Sequence, residues 1–264
     1  MSGIQLPIYQ KQNIVLYEEG VMQQGYTMIV NEAFLTVFLN GLEIATLVCS
    51  PIAYRELAVG FLLSEGLLQD LGDIKKINCN DKEKWVRVET TAATTQKKGH
   101  QQQTAGYNVD KKGASPSGND VDKLSPVESS AGFLADMVPR LIDLLEEKSS
   151  TFRLTGGVHG AALADSKNMF VMYEDIGRHN AVDRVLGYSF LNQINNADKI
   201  LLLSGRVSSE ILIKAVRRGV PLVVSRSAPT QLALELADRF GVTVIGFARG
   251  QKFNIYSHKE KIIY

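Results

Sequence analysis

The chain has 264 residues, 45% of them hydrophobic, and 29 lysines and arginines against 28 aspartates and glutamates, for a net charge of +1. That content can bury one large or two medium cores, and the balance lacks the polybasic footprint of a nucleic-acid-binding surface. No apolar run reaches the roughly 18 residues of a membrane span, residues 1–13 do not resemble a signal peptide, and only two separated cysteines, Cys49 and Cys79, occur, so a cytoplasmic protein without a disulfide scaffold is expected.

In chain order, the first predicted element is a hairpin. Residues 34–39 and 42–49 are rich in β-branched and aromatic side chains, and Asn40-Gly41 between them suits a two-residue turn in which both positions need positive φ. Ser50-Pro51 reads as the N-cap and first position of a helix running through Leu57, Ala58, Phe61 and Leu62 to Gly66. Strands at 74–79 and 85–90 complete a small α+β roll over residues 1–90. Composition then shifts to Gln, Lys, Ser, Thr and Gly, with Gln101-Gln102-Gln103, Pro116 and Pro126 inside, so residues 91–131 are expected to be a flexible polar connection.

A helical stripe at 133–147, which Pro139 is expected to bend, opens a second domain over residues 132–264. Strand 169–173 follows, then the polar run Glu174-Asp175-Ile176-Gly177-Arg178-His179-Asn180-Ala181-Val182-Asp183-Arg184 leading into a helix. Strands at 200–203, 221–224 and 242–247 alternate with helices at 208–218, stopped by Gly219, and 230–240, capped by Thr230 and stopped by Gly241. Continuous apolar strands alternating with helices of about ten residues predict a parallel sheet covered on both faces.

Each of those last three strands ends in a small residue beside an arginine: Ser204-Gly205-Arg206, Ser225-Arg226-Ser227 and Ala248-Arg249-Gly250. In an open α/β sheet, ligands sit at the carboxyl ends of parallel strands, so the repetition predicts an anion site. Arg206, Arg226 and Arg249 would meet phosphate charge, Ser204, Ser225 and Ser227 would hydrogen-bond its oxygens, and Gly205 and Gly250 would permit close approach. The half from Asp136 onward carries 17 basic against 13 acidic side chains, which fits a small anion.

Gly156-Gly157 precedes His159, and with His179 and Asp175 these residues are candidates to line the same crevice; each also has a purely structural reading as a turn or a satisfied core group. Glu174, Asp175, Arg178 and Asp183 read equally well as a salt-bridge network. P-loop, dinucleotide Gly-x-Gly-x-x-Gly, nucleophile-elbow and His-Glu-x-x-His patterns are missing, which removes the main support for ATP, NAD, serine-hydrolase and zinc-protease chemistry.

The segments Leu57-Ala58-Val59-Gly60-Phe61-Leu62-Leu63-Ser64-Glu65-Gly66, Thr155-Gly156-Gly157-Val158-His159, Glu174 to Asp183, Ser204-Gly205-Arg206, Ser225 to Thr230 and Gly246-Phe247-Ala248-Arg249-Gly250 together resemble the FdhD family of formate dehydrogenase accessory sulfurtransferases. The resemblance implies a three-layer α/β/α cytidine-deaminase-like domain joined to the smaller roll. It implies a cytoplasmic homodimer that takes sulfur from a cysteine desulfurase and passes it to the molybdenum bis(molybdopterin guanine dinucleotide) cofactor of formate dehydrogenase, with no tightly bound metal of its own.

The family's cofactor-binding stretch corresponds to Phe247, Ala248, Arg249, Gly250, Gln251 and Lys252, and the guanosine-diphosphate-like ends of that cofactor suit the arginines at the strand ends. Sulfur-transferring members carry a Cys-x-x-Cys pair in the connection between the domains. Here Gly113-Ala114-Ser115-Pro116-Ser117-Gly118 stands there instead, and a serine cannot hold a persulfide as a cysteine can. A zinc deaminase is excluded because the Pro-Cys-x-x-Cys that supplies its zinc ligands is missing. A phosphosugar- or nucleotide-binding module or isomerase would use the same strand-end anion site and is the rival reading.

Overall fold

The computed structural model describes residues 7–91 and 121–264. It opens with a long antiparallel hairpin, β1 (Tyr9–Glu18) and β2 (Val21–Val30), turned at Glu19 and Gly20, both at positive φ. The sequence pattern does not announce this hairpin. Val15, Leu16, Tyr17, Val21, Met22 and Tyr26 are exposed, so it lacks the one-sided alternation that marks a half-buried strand.

β3 (Ala33–Leu39) and β4 (Leu42–Cys49) form the expected hairpin, with Asn40 and Gly41 at φ 49° and 82°. With β5 (Ile74–Asn80) and β6 (Trp85–Thr90) they make a four-stranded sheet of order β4-β3-β6-β5. Leu35, Val37, Leu47, Cys49, Val86 and Val88 alternate onto the face covered by Leu57, Ala58 and Leu62 of helix α1 (Tyr54–Ser64). The helix begins later than Ser50-Pro51 predicts. Ala53, at φ 43°, is its N-cap, and Ser50 is held by the second domain instead.

The second domain contains α2 (Met137–Lys148), α3 (Ser150–Thr155), β8 (His159–Ala164), β9 (Met169–Asp175), α4 (Arg178–Leu191), β10 (Ile200–Leu203), α5 (Ser209–Arg217), β11 (Leu222–Ser225), α6 (Gln231–Phe240), β12 (Thr243–Arg249) and β13 (Lys252–Ile255). The short β7 (Phe133–Leu134) pairs with β14 (Ile262–Ile263), so the helical stripe read at 133–147 starts only at Met137. Pro139 falls in the first turn, where a missing N–H removes no intrahelical bond, so it sits there without breaking the helix.

The sheet order is β13-β12-β11-β10-β8-β9. β10, β11 and β12 are parallel, as predicted, but β8, β9 and β13 run antiparallel to their neighbours, which makes the sheet mixed. The links 165–168 and Gly250-Gln251 are hairpin connections, too short for the crossover that a parallel pair needs. Alternate strand residues feed two cores. Leu163, Leu201, Leu203, Val223 and Val244 pack under α4, α5 and α6, while Ala162, Leu202, Leu222, Val224 and Ile245 pack under α2, giving α/β/α layers. Thr230 caps α6 through its hydroxyl and Gly241 ends it at φ 71°, as read from the sequence.

Residues 92–120 of the expected connection lie outside the described residues. From Val121 onward the chain packs on the α4–α6 side, with Val127 buried and its N–H donating to Phe240 O at 2.8 Å. The two domains meet where α1 crosses α4. A Cβ on Gly60 would overlap the carbonyl of Asp183, and one on Gly187 would overlap that of Glu56. Both glycines are therefore required for the two backbones to touch.

Candidate functional site

The run from Glu174 to Arg184 supplies the contacts with the small roll and places Arg178 beside Gly205 at the end of β10. Asp175, Asn180, Asp183 and Arg184 point inward and are buried. Asp175 Oδ2 accepts from Arg184 Nη1 and from Ser50 N at 2.9 Å, and Arg184 donates onward to Ser50 O (2.7 Å) and Ile52 O (3.1 Å). Asp175 Oδ1 accepts from Gly177 N (2.7 Å) and Asn180 Nδ2 (3.0 Å), and Asn180 also donates to Val48 O.

Asp183 accepts two bonds from Lys214 Nζ, at 2.7 and 2.6 Å, and one from Ser64 of α1 at 2.5 Å. Glu174 accepts from the N–H groups of Thr151 and Phe152 at the start of α3. The salt-bridge reading therefore holds for Asp175 and Asp183. Asp175, with zero exposure, is a strut between domains and does not line the crevice.

Arg178 and His179 are only partly buried. His179 Nδ1 lies 3.3 Å from Glu210 and Nε2 lies 3.4 Å from the Ser208 hydroxyl, so the ring bridges the starts of α4 and α5. Burial, then Lys214 and Arg178, depress its pKa to about 3 despite Glu210. The ring is neutral, with Nδ1–H donating to Glu210 and Nε2 accepting from Ser208. His159, at the head of β8, is also depressed, by partial burial and then by Arg178 and Arg206.

The strand ends are stitched into one rim. Ser225 Oγ donates to Gly205 O and accepts from Ser227 N, Val207 N donates to Ala228 O, and Phe247 N donates to Ser227 O. The hydroxyl of buried Ser225 is thus spent inside the protein, whereas Ser204 Oγ accepts from Gly160 N at 2.9 Å and keeps its proton free to donate.

The arginines do not share one fate. Arg226 Nε is 2.6 Å from Glu146 Oε1 of α2, so its charge is already matched, a long-range pair that the sequence could not reveal. Arg249 Nε donates to Arg226 O at 3.1 Å, and Arg206 is exposed beside Arg178 and His159. Phe247 is exposed at φ 51°, Gly250 sits at φ 52°, and Gln251 and Lys252 follow on the surface. Ala248 is buried in the α2 core and anchors this turn.

Of the two thiols, Cys49 is fully buried, and burial pushes its pKa up to about 12. Cys79 is an exposed strand residue whose Sγ donates to Asp81 at 3.1 Å; partial desolvation and that carboxylate push it up to about 12 as well. Neither is poised as a thiolate. Residues 113–118 lie outside the described residues. Among the described residues no helix is long and apolar enough to cross a membrane.

Fold and rim together define a three-layer α/β protein with arginines at its strand ends, joined to a small α+β roll. The profile of the FdhD/NarQ family matches residues 30–263, and the chain belongs to that family. The sulfur carrier protein FdhD of Bacillus pumilus (strain SAFR-032) is 40% identical over 256 residues, covering 97% of this chain and 98% of its own. That of Geobacillus kaustophilus (strain HTA426) is 40% identical over 255 residues, covering 96% and 97%. A crystal structure from Desulfotalea psychrophila, described as a formate dehydrogenase accessory protein, has the same fold: TM-score 0.82, 24% identity, and coverage of 97% of this chain and 100% of that one.

Proposed function

We propose that this protein serves formate dehydrogenase maturation in the cytoplasm by holding the molybdenum bis(molybdopterin guanine dinucleotide) cofactor as cargo at the strand ends. The relatives' shared name, sulfur carrier protein FdhD, supports the reading. The observation that carries it is the stitched rim, which brings the Phe247–Lys252 turn alongside the ends of β10 and β11. Arg249 and Lys252 supply charge for the diphosphate, and exposed Phe247 offers a face on which a guanine base can stack.

In this reading the protein works as a homodimer with a cysteine desulfurase and formate dehydrogenase as partners. The sulfur step is altered relative to members with paired loop cysteines, because both thiols of this chain are held protonated and neither stands in the connection. Expression in cells lacking their own accessory protein tests the assignment, and restored formate oxidation is the expected result. Incubation with a desulfurase and cysteine followed by intact mass measurement tests the sulfur step. No adduct is expected, and one on Cys49 or Cys79 would overturn that part.

A further inference from the structure

We infer that Arg178, Arg206 and His159 form a separate anion subsite at the start of α4, one that takes a phosphate or pyrophosphate group apart from the Phe247–Lys252 turn. The inference deepens the proposed function and rests on it only for what lies at the other end of the ligand.

Three observations carry it. The first is the lack of an ion-pair partner. Among the described residues neither arginine has a carboxylate within ion-pair distance; Glu210 acts on Arg178 only from farther away and takes its close contact from His179. Asp175, the other acid near His159, is consumed by Arg184.

The second is an orphaned donor. A surface arginine needs no partner, because water serves it, but Arg178 Nε is buried and makes no hydrogen bond. Burial and the like charge of Arg206 together weaken its hold on its proton. An anion would relieve both costs.

The third is close approach. Gly205 lies between the groups: a Cβ there would sit 3.3 Å from His159 Nδ1 and 3.7 Å from Arg178 Cδ. Glycine lets the end of β10 close in beside both side chains.

The test is calorimetric titration of inorganic pyrophosphate into the full chain, alongside R206Q and R178Q, with circular dichroism as the check on folding. R206Q alters an exposed loop side chain, so it keeps the test decisive if R178Q does not fold. Loss of one charge-assisted contact should weaken pyrophosphate by about tenfold or more in each variant. Saturation should also raise the His159 imidazole pKa followed by NMR, since the anion offsets Arg178 and Arg206.

Undetectable pyrophosphate binding to the wild type, or unchanged affinity in R206Q, overturns the inference. A parallel titration with guanosine diphosphate separates it from the proposed function. Binding of guanosine diphosphate that ignores R206Q removes the subsite and leaves the cofactor reading standing. Arginine-dependent pyrophosphate binding that guanosine does not improve keeps the subsite and removes that reading.

Discussion

The two faces of α4 treat charge in opposite ways. Toward α1, Asp183 and Arg184 of the helix and Asp175 at the end of β9 are buried, and each has hydrogen-bonded partners of opposite charge, backbone amides or hydroxyls. Toward the strand ends, Arg178 is only half-buried and, with Arg206 beside it, has no carboxylate within ion-pair distance among the described residues. A buried charge is tolerable only when paired, so the inner face reads as architecture, whereas two adjacent cations left without an ion-pair partner read as preparation for a ligand. One eleven-residue motif thus serves two purposes.

The contrast breaks most visibly at the helix crossing. Gly187→Val places a side chain against the Glu56 carbonyl, which cannot move without shifting α1, and should destabilise the fold by about 3 kcal/mol or more in urea unfolding. Wild-type stability would mean that the two helices are not in backbone contact. Asp183→Ala strands Lys214 in a buried setting and should cost about 3–5 kcal/mol by the same assay; a change under 1 kcal/mol would show the pair to be solvated.

On the outer face the expected effects shrink. Arg206→Gln should leave stability within about 0.5 kcal/mol of wild type, because no internal partner is lost. A large loss would assign Arg206 to the architecture.

His179 sharpens the comparison through pH. Its folded pKa, about 3, lies below the ordinary 6.5, so the unfolded chain binds the proton more readily. The stability tied to the neutral ring is present above pH 6.5 and lost as pH falls from there toward 3. The melting temperature of the wild type should therefore fall more steeply between pH 7 and 4 than that of His179→Gln; parallel curves would contradict the neutral-ring assignment.

Much of this was legible in the sequence where local chemistry decides the outcome. Asn40-Gly41, the Thr230 cap and the Gly241 stop each act within a few residues, and their predicted elements form where expected. The parallel core strands were legible because their apolar runs are continuous. What escaped depends on distant partners. Ser50-Pro51 carries a helix-start pattern, yet Ser50 is engaged by Asp175 and Arg184, 125 and 134 residues away.

The β1–β2 hairpin escaped because nothing buries either face enough to pattern it, and the antiparallel strands because β8 and β9 carry no sign of direction. In the site, the strand-end arginines were found by position, but spacing could not reveal that Glu146 neutralises Arg226 or that Arg178 is left unmatched.

The central claim, that the strand ends hold a guanine dinucleotide, is tested most directly by titrating guanosine diphosphate into the wild type and Arg249→Ala. Saturable binding to the wild type, weakened by about 1–3 kcal/mol in the variant with folding intact, is the predicted result. No binding to the wild type, or equal affinity in the two, would contradict it.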